Sequence, residues 1–130
     1  YIGGVFWQLD SKPLEVELLV CEVAETSNQA NNIYHISFDG TFWEEKDYAV
    51  IGGRSDEISQ ILEDTYQAEL SLPAAVKLAT ETFISIEDSV DEVDRYAITP
   101  STLEVAVLDQ KRNRRKFSRL SIEDITEILS

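Results

Sequence analysis

Few side chains in this 130-residue sequence could do chemistry, and they are scattered. There is one histidine, His35, and one cysteine, Cys21. A thiol nucleophile needs a neighbouring cation or base to hold the thiolate. Cys21 stands inside the apolar run 14–24 with no basic residue close by, so it reads as a small core residue. One thiol with no clustered histidines makes no zinc site and no intrachain disulfide. His35 falls on the polar side of an alternating stretch, opposite Tyr34, Ile36 and Phe38, and reads as a surface or loop-packing histidine with no catalytic partner placed for it.

Two other motifs invite a ligand. Gly52-Gly53-Arg54-Ser55 precedes a helical pattern, as an anion-binding turn does. It lacks the spacing of a phosphate loop and the Lys-Ser/Thr that would follow, and Asp56 and Glu57 fill the positive helix end with carboxylates. A tight turn into a capped helix is the expectation. The acidic stretch Glu87, Asp88, Asp91, Glu92 and Asp94 lacks the central glycine and alternate oxygen ligands of a calcium loop. No catalytic, cofactor-binding or metal-binding residue is assigned, and no cofactor is expected.

The elements that would carry these residues follow from periodicity. Residues 14–24 begin in strict alternation and end apolar on both sides, like a central strand. Residues 25–32 form a polar loop. Residues 34–38 alternate as a half-buried strand, and Asp39-Gly40 predicts a two-residue hairpin turn. Residues 48–51 read as a short strand covered on both faces, after which Gly52-Gly53 turns the backbone sharply. A helix is predicted over 56–69, with Ile58, Ile61, Leu62, Thr65 and Tyr66 on one stripe. A second is predicted over 72–86, with Pro73 in its first turn and Leu72, Ala75, Val76, Ala79, Phe83 and Ile86 on one stripe. Residues 86–100 read as a loop. Residues 103–109 and 114–120 read as a hairpin, and Ser121-Ile122-Glu123-Asp124 as the capping box of a short final helix. Residues 1–9 read as the tail of a helix ended by Lys12-Pro13.

Composition bounds the possibilities. The length suits one domain, and 43% hydrophobic residues suit a globular core. The net charge of −14 argues against nucleic acid and anionic membranes as main partners. Six of the eleven basic residues gather within 111–119: Lys111, Arg112, Arg114, Arg115, Lys116 and Arg119. A solvated hairpin tip, or a charge match with an acidic neighbouring subunit or domain, is weighed there ahead of a nucleic-acid patch. No stretch approaches the roughly 20 apolar residues that span a bilayer, and single-cysteine usage suits a reducing, cytoplasmic setting. With no methionine present, residue 1 is not read as a natural start.

In this order the chain resembles the C-terminal half of the actinobacterial type of 20S proteasome alpha subunit. The resemblance rests on Lys12-Pro13-Leu14-Glu15-Val16-Glu17-Leu18 with Cys21-Glu22-Val23-Ala24, on Tyr34-His35-Ile36-Ser37-Phe38-Asp39-Gly40, and on Val50-Ile51-Gly52-Gly53. It continues through Ser71-Leu72-Pro73-Ala74-Ala75, Ser101-Thr102-Leu103-Glu104-Val105-Ala106-Val107-Leu108-Asp109 and Arg114-Arg115-Lys116-Phe117-Ser118-Arg119-Leu120. It implies an α+β fold, part of the four-layer αββα sandwich of the N-terminal-nucleophile hydrolases, with antiparallel strands and two covering helices. Residues 1–130 would be the C-terminal portion of one such domain, its N-terminal half lying upstream. The resemblance also implies a non-catalytic subunit of a threonine-type endopeptidase complex. Its implied partners are other alpha subunits in an outer ring, beta subunits that carry the threonine nucleophiles, and an ATPase activator ring. The gating and activator-docking residues of the family belong to the upstream half, so none is assigned here, and Tyr1 is not a terminal threonine nucleophile. The competing readings are an independent acidic α/β protein-interaction module and, with little support, a hydrolase using His35 or Cys21.

Overall fold

The computed structural model describes residues 16–130, and their contacts fall into two compact units, Tyr1–Gly53 and Arg54–Ser130. The helix tail expected at residues 1–9 lies outside the described residues. Within them the chain is α+β, with antiparallel strands and three helices.

The first unit is a three-stranded antiparallel sheet in the order β1 (Leu18–Glu22), β2 (Asn32–Ile36), β3 (Phe42–Glu45). The hairpin expected at Asp39-Gly40 is present, but its loop is one residue longer than the predicted two. Ser37 N–H donates to Thr41 O at 2.8 Å, and Gly40 N–H donates to Ser37 O at 3.0 Å. Phe38, Asp39 and Gly40 therefore form the loop, with Gly40 at φ +84° where a side chain is strained. Asp39 Oδ1 accepts from Thr41 N–H at 2.9 Å. Phe38 thus leaves the strand pattern and is exposed. Two further expectations are corrected. The run 14–24 is expected to be central, but among the described residues β1 is an edge strand and β2 is the central one. Residues 48–51 carry no strand ladder among the described residues and are half-buried in extended coil, because no neighbouring strand is aligned to bond them.

The second unit is built on α2 (Leu72–Asp88), with α1 (Ser55–Thr65) and α3 (Ile122–Leu129) both packed against it. Gly52, at φ +121°, makes the predicted sharp turn ahead of α1. That helix stops four residues before the predicted end: Tyr66 turns to extended backbone while its N–H caps Leu62 O, and Glu69 then takes φ +61°. In α2, Ser71 Oγ accepts from Ala74 N–H at 3.3 Å and Pro73 sits in the first turn, where no intrahelical donor is lost. The capping box of α3 is complete. Ser121 Oγ accepts from Asp124 N–H at 3.1 Å, and Asp124 Oδ2 accepts from Ser121 N–H at 3.0 Å.

The predicted stripe of α2 divides in two. Val76 and Ile86 are buried, with Thr80 and Thr82 beside them, whereas Leu72, Ala75, Ala79 and Phe83 are exposed. The threonines tolerate burial because each hydroxyl donates to the carbonyl one turn back, Thr80 to Val76 O at 2.7 Å and Thr82 to Leu78 O at 2.8 Å. β4 (Ala106–Leu108) and β5 (Phe117–Arg119) pair as the predicted hairpin. β5 begins later than the expected residue 114 because Arg115, at φ +30°, turns the chain before extended pairing can start.

Ile125 is the most enclosed side chain, at 1% exposure. Ile125→Ala should cost about 2–5 kcal/mol, as truncation of a buried isoleucine generally does, measured as a shift in urea unfolding. The carboxyls of Asp39 and Asp124 are held below the ordinary aspartate range by the backbone N–H groups of Thr41 and Ser121. A carboxylate whose pKa is depressed by folding contributes stability that is full above its unfolded value, about 4, and is lost as the pH falls through the lower folded value. Stability should therefore decline below about pH 4, and less steeply in an Asp39→Asn/Asp124→Asn variant; equal slopes in the two proteins would refute the assignment.

Candidate functional site

Each side chain singled out in the sequence has a definite place. Cys21 is exposed on edge strand β1, opposite Ile33, and not in a core. The reason is topological: an edge strand has a neighbour on one side only, so apolar sequence does not guarantee cover.

His35 is corrected in the opposite sense. It is 8% exposed and held on three sides. Because β2 is central, His35 faces Leu19 of β1 and Trp43 of β3 across the two ladders. Its ring centroid lies 4.3 Å from that of Trp43, at a 45° tilt. Nε2 stands 3.0 Å from Glu17 Oε2, and Nδ1 stands 3.4 Å from Glu45 Oε1. Trp43 Nε1–H donates to the same Glu45 oxygen at 2.6 Å. A neutral imidazole has one N–H and can donate to one carboxylate, whereas an imidazolium donates to both. With an acceptor against each nitrogen, the ring ties the three strands together and is not directed at a substrate. Sequence reasoning missed Glu17, Trp43 and Glu45 as its partners. Their shared strand parity could have found them once the turn had fixed the register.

The register also sorts the opposite sheet face. Leu18, Val20, Tyr34, Ile36 and Phe42 alternate with the histidine network and lie together. Phe42 on this face is 70% exposed.

The glycine-pair motif is a turn and not a ligand cradle. Arg54 Nε donates to Glu57 Oε1 at 3.0 Å and Nη2 to Glu57 Oε2 at 2.6 Å. The same guanidinium reaches Ile86 O at 3.0 Å and Ser89 Oγ at 2.9 Å, at the far end of α2. The paired hydrogen bonds raise the Arg54 pKa and hold the Glu57 carboxyl below its ordinary range.

Two surface features remain. An apolar groove of about 320 Å³ runs between α2 and the chain leading into β4, lined by Leu72, Ala79, Phe83, Leu103 and Val105 among others. The tip of the β4–β5 hairpin carries the basic cluster. Asp109 N–H donates to Lys116 O at 2.8 Å to close the loop, and Asp109 Oδ1 accepts from Lys111 N–H at 2.9 Å. Lys116 turns inward, its ammonium on Gln110 O at 2.7 Å and Arg112 O at 3.0 Å. Arg119 pairs with Glu104 at 3.4 Å. Lys111, Arg112, Arg114 and Arg115 are exposed and make no ion pair among the described residues.

No group of three or more potential metal-ligating side chains occurs among the described residues, and no described helix is long and apolar enough to cross a membrane. The family model described as Proteasome subunit matches residues 8–108. The chain is 39% identical to the proteasome subunit alpha of Gordonia bronchialis, over 98% of this chain and 50% of that protein. It is 34% identical to that of Acidothermus cellulolyticus, over 98% of this chain and 53% of that protein. It is 40% identical to that of Kineococcus radiotolerans, over 91% of this chain and 50% of that protein. The chain thus spans about half the length of the curated relatives it matches.

His35→Leu leaves Glu17, Glu45 and the Trp43 ring without their shared partner. It should destabilise the chain by about 0.5–1.5 kcal/mol, the usual net contribution of a hydrogen bond, since both glutamates are open enough to turn to water. A Glu17→Gln background should reduce that loss in a double-mutant cycle, read from thermal unfolding. Additive losses would mean that the two residues are not coupled.

Proposed function

The chain belongs to the proteasome subunit family, and from that premise we propose that it serves as an alpha-type, non-catalytic subunit of a bacterial 20S proteasome core. The observation that carries this reading is the series of relatives named proteasome subunit alpha, 34–40% identical across nearly all of this chain. In this role it forms an outer ring with other alpha subunits, stacks on beta subunits that perform threonine-type proteolysis, controls substrate access to the barrel and docks an ATPase activator ring, all in the cytoplasm. Residues 1–130 then supply the C-terminal portion of an αββα sandwich.

The chemistry of the described residues is consistent with a structural part. The one thiol is exposed on β1, and both nitrogens of the one imidazole face carboxylates. The exposed apolar faces of α2 and of the three-stranded sheet suit a subunit that completes its cover in an assembly. An independent interaction module would share those surfaces but leaves the family match without an explanation.

Co-expression of the subunit containing this chain with a beta-type subunit should yield a high-mass complex with peptidase activity. The beta-type threonine nucleophile should be essential to that activity, whereas Cys21→Ala should leave it unchanged. A chain that stays separate from the beta-type subunit, or that hydrolyses peptides by itself, would overturn the reading.

A further inference from the structure

Four cations of the basic hairpin tip make no ion pair among the described residues. Its loop is closed by Asp109 and by the inward-turned Lys116, so the four remaining cations, Lys111, Arg112, Arg114 and Arg115, are carried outward on a bonded loop. They stand on a chain of net charge −14, where neutralising carboxylates are plentiful. Phe117, beside them at the start of β5, is exposed.

A matching surface follows α2. Glu87 is engaged by Tyr96 N–H at 2.8 Å and Asp88 by Arg95 at 3.4 Å. Asp91, Glu92 and Asp94 are exposed and make no ion pair among the described residues. Between and beside them stand Val93, 95% exposed, and Tyr96, 77% exposed. This segment therefore offers three carboxylates interleaved with an apolar side chain and an aromatic ring. Guanidinium groups pair with carboxylates through forked hydrogen bonds and stack on aromatic faces. No ion pair joins the tip to this segment within one molecule.

We propose that the β4–β5 hairpin tip, through Lys111, Arg112, Arg114 and Arg115, docks on the segment carrying Asp91, Glu92, Val93, Asp94 and Tyr96 of a neighbouring copy of this chain. The contact rests on the reading of the chain as a self-assembling subunit and adds which two surfaces meet. They are different surfaces, so the contact is head-to-tail, the kind that closes into a ring when the rotation per subunit allows. Exposed ion pairs each contribute little. Their work here is orientation: two strongly acidic molecules repel except where the one basic tip meets a carboxylate-rich strip.

Sedimentation velocity on the whole subunit that contains this chain, at about 50 mM and about 500 mM NaCl, tests this, since the higher salt screens exposed charges over a few ångströms. Self-association should be about tenfold weaker at the higher salt. It should be lost in Arg112→Glu/Arg114→Glu/Arg115→Glu and in Asp91→Lys/Glu92→Lys/Asp94→Lys, each on its own. Mixing the two reversed chains should restore a heterotypic complex. Circular dichroism checks folding, and Arg112→Gln/Arg114→Gln/Arg115→Gln replaces the first set if charge reversal unfolds it. Association that survives the tip reversal overturns the proposed contact and leaves the assembly reading standing; no association under any condition removes both. Loss without rescue on mixing shows that the tip meets a different surface. Tip-dependent binding of a duplex DNA probe in place of self-association assigns the tip to nucleic acid and equally overturns the proposal.

Discussion

Arg54 is the point at which the helical unit closes on itself. It is the last residue before α1, yet its guanidinium spans to the final turn of α2, more than thirty positions on, while forking onto Glu57. Each group it engages answers a local need. The carboxylate of Glu57 favours the positive end of α1, Ile86 O is one of the carbonyls that a helix end leaves without an intrahelical donor, and Ser89 Oγ itself donates to that same carbonyl at 2.6 Å. The start of one helix and the end of another are therefore fixed by a single planar cation. The rest of the unit follows, because α3 is seated on α2 through Ile125.

The sheet unit reaches the same end by another route. Its centre is not an aliphatic cluster but an imidazole wedged against an indole with a carboxylate at each nitrogen. Val20 and Phe42 on the opposite sheet face, and Leu72 and Phe83 on α2, remain exposed. The described chain thus spends polar groups on internal order and leaves much apolar surface outward.

Local patterns were readable wherever the chemistry is local. The capping box at Ser121, the proline-initiated start of α2, the Gly40 turn and the β4–β5 hairpin each depend on neighbours a few residues apart; all four are present, the Gly40 loop one residue longer and the hairpin strands shorter than expected. The misreadings share a cause. Burial of His35, exposure of Cys21 and the absence of a ladder at 48–51 all depend on which strands adjoin which, and alternation along one strand cannot supply that. Polar residues on one strand face were taken to meet water; here that face carries Trp43 and two glutamates that enclose the histidine. Among the functional features, the basic cluster was visible as composition. That Lys116 and Arg119 are used internally, and the other four are not, required the loop's hydrogen bonds.

None of the three helices has a basic residue in its last turn, and α1 and α3 each carry two acids in their first. The negative end of α2 is met by the Arg54 guanidinium at Ile86 O, whereas those of α1 and α3 are left to solvent cations and to hydrogen-bond caps. Dissolved electrolyte then acts on this molecule in opposite directions. By shielding a strongly anionic body it relaxes internal repulsion and favours the compact chain, while the same shielding weakens whatever its few outward cations attract. The ionic conditions that best preserve the folded chain are therefore not those that favour the attractions of its outward cations.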